Sequence, residues 1–173
     1  VLNNLKIQQN FYLQSAETLA PLLLGKLLCR KLDSGEILRL RITETEAYVG
    51  EYDTACHAHR GKTPRNSVMY EQGGVAYIYL CYGIHNLLNV VSGEADAPEA
   101  VLIRGVKGFN GPGKLTKAMQ IDRTLNGKDL TTSDELWLED DGTQFEYTTT
   151  PRIGIDYASE EDRTRLWRFV SKI

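Results

Sequence analysis

The run Arg41-Ile42-Thr43-Glu44-Thr45-Glu46-Ala47-Tyr48 constrains this chain more than any other segment. Side chains alternate along a β-strand, so the run predicts Ile42, Glu44, Glu46 and Tyr48 on one face and Arg41, Thr43, Thr45 and Ala47 on the other. An apolar residue at one end of the acidic face and an aromatic residue at the other predict a strand that enters a pocket. Carboxylates rarely stay buried without a partner. The alternative is that Ile42 alone marks the buried face, with both glutamates in water or paired to Arg39 or Arg41.

The neighbouring sequence supplies companions for such a strand. Phe11 to Leu24 contains a helix capped by Ser15 and shortened or kinked by Pro21, and Leu27 to Leu32 reads as a strand. A turn at Asp33-Ser34-Gly35-Glu36 returns the chain into Ile37 to Tyr48. Glu51 to Asn66 has no period and contains Gly61 and Pro64, which predicts an irregular ordered segment over the glutamates. Residues 72–93 hold no Asp, Glu, Lys or Arg, yet include Tyr77, Tyr79, Tyr82 and His85. They predict one hairpin, with Val75, Tyr77, Tyr79 and Cys81 on one side and Ala76, Ile78 and Leu80 on the other. Ala100 to Val106 reads as a strand, and Gly113 to Ile121 as a helix with Leu115, Ala118 and Met119 inward. Short strands are expected at Trp137 to Glu139 and Ile153 to Ile155, and either strand or helix at Arg163 to Val170. No internal repeat appears.

With 173 residues, 42% of them apolar, the chain is long enough for one substantial core and short for two. No apolar run approaches the ~20 residues that span a bilayer, and the first thirty residues lack the pattern of a secretory signal. Cys29, Cys56 and Cys81 are odd in number and irregularly spaced, which suits free thiols in a reducing cytosol. The net charge of −3 hides an asymmetry. Residues 1–130 carry 15 basic and 13 acidic side chains, whereas residues 131–173 carry 5 and 10. Two stretches are basic without any acid: Arg60, Lys62 and Arg65 within 54–70, and Arg104, Lys107, Lys114 and Lys117 within 100–121. Such patches can hold phosphates in a protein of acidic pI, or can be ordinary solvated charge.

Four chemistries fit these residues. The first is a glutamate that activates water beside stacking tyrosines and a basic rim; a base stacked on an aromatic ring is worth roughly 1–3 kcal/mol. The second is a metal site from Cys56, His57, His59 and His85, whose spacing matches no zinc framework. The third is a phosphate loop, since Gly108 to Lys114 fits GxxxxGK; Leu115 then stands where Ser or Thr belongs, and Pro112 removes a backbone donor. A lysine beside a helix start still suits a backbone phosphate. The fourth is a Cys56 nucleophile beside His57, though sequence neighbours do not usually face each other.

Several motifs stand together in one order: Thr43-Glu-Thr-Glu-Ala-Tyr48, Asp53-Thr-Ala-Cys-His57, Thr63-Pro-Arg-Asn66 with Met69, Tyr77-Ile-Tyr-Leu-Cys-Tyr-Gly83, Asn89, Arg104 and Gly111-Pro-Gly-Lys114. From about Leu22 to Ile155 the chain resembles the alkyladenine (3-methyladenine) DNA glycosylase family. The resemblance implies a single domain over residues 1–173 of mixed α/β (α+β) class. Its curved, mostly antiparallel sheet would be flanked by helices, with a tyrosine-rich hairpin protruding into the DNA minor groove. It implies a monofunctional enzyme that flips 3-methyladenine, 7-methylguanine and some deaminated purines out of duplex DNA and hydrolyses the glycosidic bond; a monomer is expected, in the cytosol that the cysteines and the missing signal suggest. No metal or organic cofactor is expected.

By position, Glu46 resembles the general base, and Arg104 the residue near the lesion phosphate and catalytic water. Tyr48 and Tyr79 resemble the plates that sandwich the flipped base, His57 closes the pocket, and Asn89 rejects the 2-amino group of guanine. Tyr82 takes the place of the wedge in the duplex, with Met69, Arg65 and Lys114 as further DNA contacts. Two departures stand out: Cys56 replaces an expected serine, and the connection from Arg104 to Gly111 is shorter than in longer relatives.

Overall fold

The computed structural model describes residues 5–173, so the part of the single-domain expectation that covers residues 1–4 lies outside the described residues. Two short helices come first, α1 (Gln9–Tyr12) and α2 (Ala16–Leu22). The helix expected within Phe11 to Leu24 with Ser15 as its cap is α2, and α1 precedes it as a separate short turn. The Ser15 hydroxyl accepts the Thr18 N–H at 3.3 Å and starts a new helix, which Pro21 does not prevent from reaching Leu22. Ser15→Ala should cost about 1 kcal/mol, read as a lower urea midpoint with an unchanged slope.

Strands β1 (Leu27–Lys31), β2 (Ile37–Val49), β3 (Ala76–Cys81), β4 (His85–Ser92), β5 (Glu99–Val106) and β6 (Phe109–Asn110) follow. Helix α3 (Pro112–Ala118), β7 (Leu136–Glu139), β8 (Tyr147–Thr150), α4 (Glu160–Thr164) and β9 (Arg168–Ser171) complete the chain. The result is an α+β domain around a curled antiparallel sheet of order β3-β4-β5-β2-β1-β7. Strand β6 extends from β5, and β9 joins β2 to β8. The long β2 is the hinge of this sheet: its first half pairs with β1, and its second half with β5 and β9. Among the described residues no helix is long and apolar enough to cross a membrane.

One face of the sheet packs on the helices. Leu19, Leu23, Leu115 and Met119 meet Ala76, Ile78, Leu88, Val90, Val101 and Ile103 in the main core. The other face carries a smaller cluster of Tyr77, Val91 and Ala100 from the sheet, with Cys56, Met69 and Tyr70 from the irregular segment over it. Period-two alternation along β3 thus sends Ala76 and Ile78 one way and Tyr77 the other, as the sequence predicts.

Strand β2 departs from that alternation. Ile42 belongs to the main core together with Ala47, and the Thr45 hydroxyl donates to the Ala20 carbonyl of α2 at 2.8 Å. Ile42 therefore lies opposite Glu46 and Tyr48, contrary to the uninterrupted pattern. The pairing with β5 shifts register between Ile42 and Glu44 and again between Glu44 and Thr45, leaving Thr43 and Arg104 outside the ladder. Such bulges re-aim side chains. A glycine permits the close approach: a Cβ on Gly105 would meet Thr43 Oγ1 at 3.0 Å and Glu44 Cβ at 3.3 Å.

The strand expected at Ile153 to Ile155 is also absent. Gly154 has φ +76° and the chain bends there, so the apolar alternation marks two side chains turned to one cavity wall instead of a ladder. The ambiguous stretch Arg163 to Val170 divides between the end of α4 and the start of β9.

Candidate active site

A cavity of about 590 Å³ opens on the sheet face that carries the smaller cluster, with Tyr48, His57, Tyr77, Tyr79, Asn89 and Arg104 in its wall and the start of α3 at its rim. These residues come from β2, the irregular segment, β3, β4 and β5. The sheet thus gathers side chains that the sequence scatters over 57 positions, Tyr48 to Arg104.

Glu46 lies behind that wall with 0% exposure. One carboxylate oxygen accepts the Tyr48 hydroxyl at 2.8 Å, and the other accepts the Ile153 N–H at 2.7 Å. Arg104 Nε stands 3.8 Å from the second oxygen. Burial pushes the Glu46 carboxyl above the ordinary glutamate range, while Arg104, the Ile153 N–H, Tyr48 and Arg152 pull it down. Burial and the adjacent Glu46 charge also hold the Tyr48 phenol protonated, as the observed donation requires. Each carboxylate oxygen accepts one of these hydrogen bonds and has capacity for a second.

Glu44 has a separate task. Its Oε1 takes Arg104 Nε at 3.0 Å and Arg168 Nε at 2.6 Å, so two arginines from β5 and β9 meet its charge. Neither Arg39 nor Arg41 is its partner; they pair with Glu139 and Asp141.

The aromatic part of the wall is interlocked. His57 Nδ1 lies 2.9 Å from the Tyr77 hydroxyl, and its ring centroid 4.3 Å from that of Tyr79. Burial, with a smaller effect of the Arg65 charge, pushes the His57 imidazole down, which keeps the ring neutral at pH 7. Asn89 is buried and donates to the Tyr77 carbonyl at 3.2 Å.

At the tip between β3 and β4, Tyr82 is 88% exposed with φ +52°, followed by Gly83 at +69° and by exposed Ile84. Arg65 and Lys114 are exposed at the cavity rim. Met69 is placed differently from expectation: only 2% exposed, it packs in the smaller cluster and touches the cavity from inside.

The competing chemistries are not assembled. His57 is engaged with Tyr77, His59 Nδ1 lies 2.8 Å from the Glu51 carbonyl, and the His85 ring packs against Gly113. Among the described residues no group of three or more His, Cys, Asp or Glu is arranged around a common ion position. Cys56 is buried, its thiol pushed up to about 12, which disfavours a thiolate. The stretch resembling a phosphate loop contains β6, which pairs with Gly105 and Val106, so its backbone donors are not wrapped around an anion.

Sequence reasoning missed Arg152 and the Ile153 backbone. Arg152 is bound in a bidentate pair to Asp53 at 2.6 and 2.9 Å, and its guanidinium lies 4.9 Å from the Tyr48 ring centroid. One signal was available, since Arg152 is the sole Lys or Arg between Lys128 and Arg163.

Comparison with known proteins places the chain in a family. The profile of the methylpurine-DNA glycosylase family matches residues 10–109 and 107–173. A relative from Psychrobacter cryohalolentis is 50% identical over 167 residues, covering 80% of this chain and 79% of its own. One from Borreliella burgdorferi (strain ZS7) is 47% identical over 175 residues, 94% of each chain. One from Methanocella arvoryzae is 45% identical over 186 residues, 96% of this chain and 92% of its own. All three are provisionally named 3-methyladenine DNA glycosylases. With profile and relatives agreeing over most of its length, the chain belongs to the methylpurine-DNA glycosylase family of DNA-repair N-glycosyl hydrolases.

Proposed function

We propose that this protein, as one domain and a monomer, removes alkylated purines such as 3-methyladenine and 7-methylguanine from duplex DNA in the cytosol, with deaminated purines as further substrates. The observation that carries the reading is the Glu46 carboxylate, buried but held ready between Tyr48 and Ile153 beside an aromatic cavity. A base inside a duplex cannot reach it, so the nucleotide must be flipped out, at a cost of a few kcal/mol that is least where damage weakens pairing. Tyr82 is the wedge that fills the gap, and Arg65 and Lys114 meet the phosphates.

In the cavity Tyr48 and Tyr79 stack on the base, and a base made cationic by alkylation gains about 0.5–2 kcal/mol from their faces. Neutral His57 offers a ring nitrogen at the pocket edge. Asn89, held by the Tyr77 carbonyl, stands against the 2-amino group of guanine. Met69 is part of the wall and not a DNA contact. Glu46 takes a proton from water, the water oxygen bonds to C1′, and the glycosidic electrons leave with the alkylated purine and neutralise its positive charge. Arg104 stabilises Glu46 as a carboxylate and reaches toward the phosphate side. Developing positive charge on the sugar is met by the same carboxylate.

The test is incubation with N-methylated duplex DNA. Free 3-methyladenine and an abasic site should appear. Tight, salt-sensitive binding without base release would instead identify a protein that recognises distorted DNA. Tyr82→Ala should weaken binding to lesion duplex roughly tenfold, measured by fluorescence anisotropy, with a smaller effect on single-stranded substrate.

A further inference from the structure

A carboxylate and a guanidinium lie buried behind the Tyr48 ring, engaged with one another and with backbone groups and outside the cavity lining. Arg152 donates to both Asp53 oxygens, to the Ala47 carbonyl at 3.0 Å and to the Asp162 carbonyl at 3.3 Å. Asp53 also accepts the Val49 and Ala55 N–H groups, each at 3.0 Å. The guanidinium is stacked between the rings of Tyr48, at 4.9 Å, and Trp167, at 5.0 Å. Among the described residues its Nε–H has no hydrogen-bond partner. Burying such a pair is costly, and an apolar pair can often fill the same space as well. Packing alone therefore does not explain a cation here.

Two connections run from this pair to the reacting groups. Ala47 and Val49, whose backbone groups it binds, flank Tyr48 in β2 and leave that ring fixed against the guanidinium. The residue after Arg152 is Ile153, whose N–H holds one Glu46 oxygen. We propose that Asp53 and Arg152 form a positioning pair that fixes the Tyr48 plate from behind and anchors the Ile153 N–H that orients Glu46. The proposal rests on the reading of Glu46 as general base. It names Arg152 as a positioning residue, since it acts only through Tyr48, Ile153 and the field at Glu46.

Other groups around Glu46 set the background for any pH effect. They are Glu44 and Tyr48 on β2, Tyr79 on β3, Arg104 on β5, Arg168 on β9 through Glu44, and Tyr157 beyond Ile153. All remain in an Arg152 variant. Loss of the Arg152 charge removes one cation that favours the Glu46 carboxylate, so the acid limb of the rate profile should move to higher pH.

The experiment measures single-turnover release of 3-methyladenine from duplex DNA between pH 5 and 9 for wild type, Arg152→Lys, Asp53→Asn/Arg152→Met and Glu46→Gln. The lysine variant keeps the charge and loses the fork, so it should slow at least roughly tenfold with its acid limb unmoved. The double variant should slow at least as much, and its acid limb should move to higher pH. Folded variants with the wild-type rate and profile, or with weaker DNA binding alone, overturn the proposal. So does failure of both variants to fold, which makes the pair structural only. An inert wild type, or an active Glu46→Gln, instead overturns the assignment of Glu46 itself.

Discussion

Glu46→Gln should reduce the single-turnover rate of base release by about 10²–10⁴-fold, the usual contribution of a positioned general base. The amide keeps the volume and both contacts. Its oxygen can accept the Ile153 N–H, and its NH₂ can donate to the Tyr48 hydroxyl, which turns to suit. What disappears is the basic lone pair that takes a proton from water. DNA binding should change little, because Glu46 stands behind the wall and the stacking faces of Tyr48 and Tyr79 are untouched.

The same substitution makes an opposite prediction for stability. Burial raises the Glu46 carboxyl above its ordinary value of 4.5, so the folded state holds that proton more tightly than the unfolded chain. Below the unfolded value both states are protonated and no penalty exists. As pH rises toward the folded value the penalty grows, and above it the penalty is complete. Glu46→Gln should therefore melt higher than wild type at neutral pH, with the gap closing near pH 4. Loss of activity in a more stable protein would separate chemistry from folding.

Period-two alternation made one face of β2 legible and misread the other end. Glu46 and Tyr48 do share a face, and Thr45 and Ala47 the opposite one, because that portion of the strand is regular. Ile42 fell on the wrong side because the bulge depends on Arg104 and Gly105, more than sixty residues away in sequence. Nothing local in Ile42-Thr43-Glu44 announces it. Ile153 to Ile155 failed for a related reason: apolar alternation outweighed Gly154, whose positive φ turns the chain so that a backbone N–H meets Glu46. Met69 stands as a DNA contact by resemblance alone, which carries no information on burial, and the 3₁₀ turn Ser67–Tyr70 turns it inward. The pocket side chains were legible as a set because each is chemically unusual where it stands. Their distances were not, since the sheet order that joins β2, β3, β4 and β5 is a tertiary property.

Arg152 and Asp53 carry the largest expected effect on stability. They are 99 residues apart in sequence, with side-chain exposures of 0% and 1%, so solvent does not screen their interaction. Arg152→Met should cost about 3–5 kcal/mol in urea unfolding at pH 7. Most of that loss comes from leaving the Asp53 carboxylate buried with only the Val49 and Ala55 N–H groups to oppose its charge. Asp53→Asn should be costly for the mirror reason, since Arg152 then keeps only carbonyl partners and two aromatic faces. The double variant removes both charges together. It should lose less than the sum of the singles by about 1–3 kcal/mol, the coupling of residues in direct contact. Additive losses would mean that the two groups act separately on their backbone partners, and the link from Asp53 through Arg152 to Ile153 and Glu46 would then have no energetic basis.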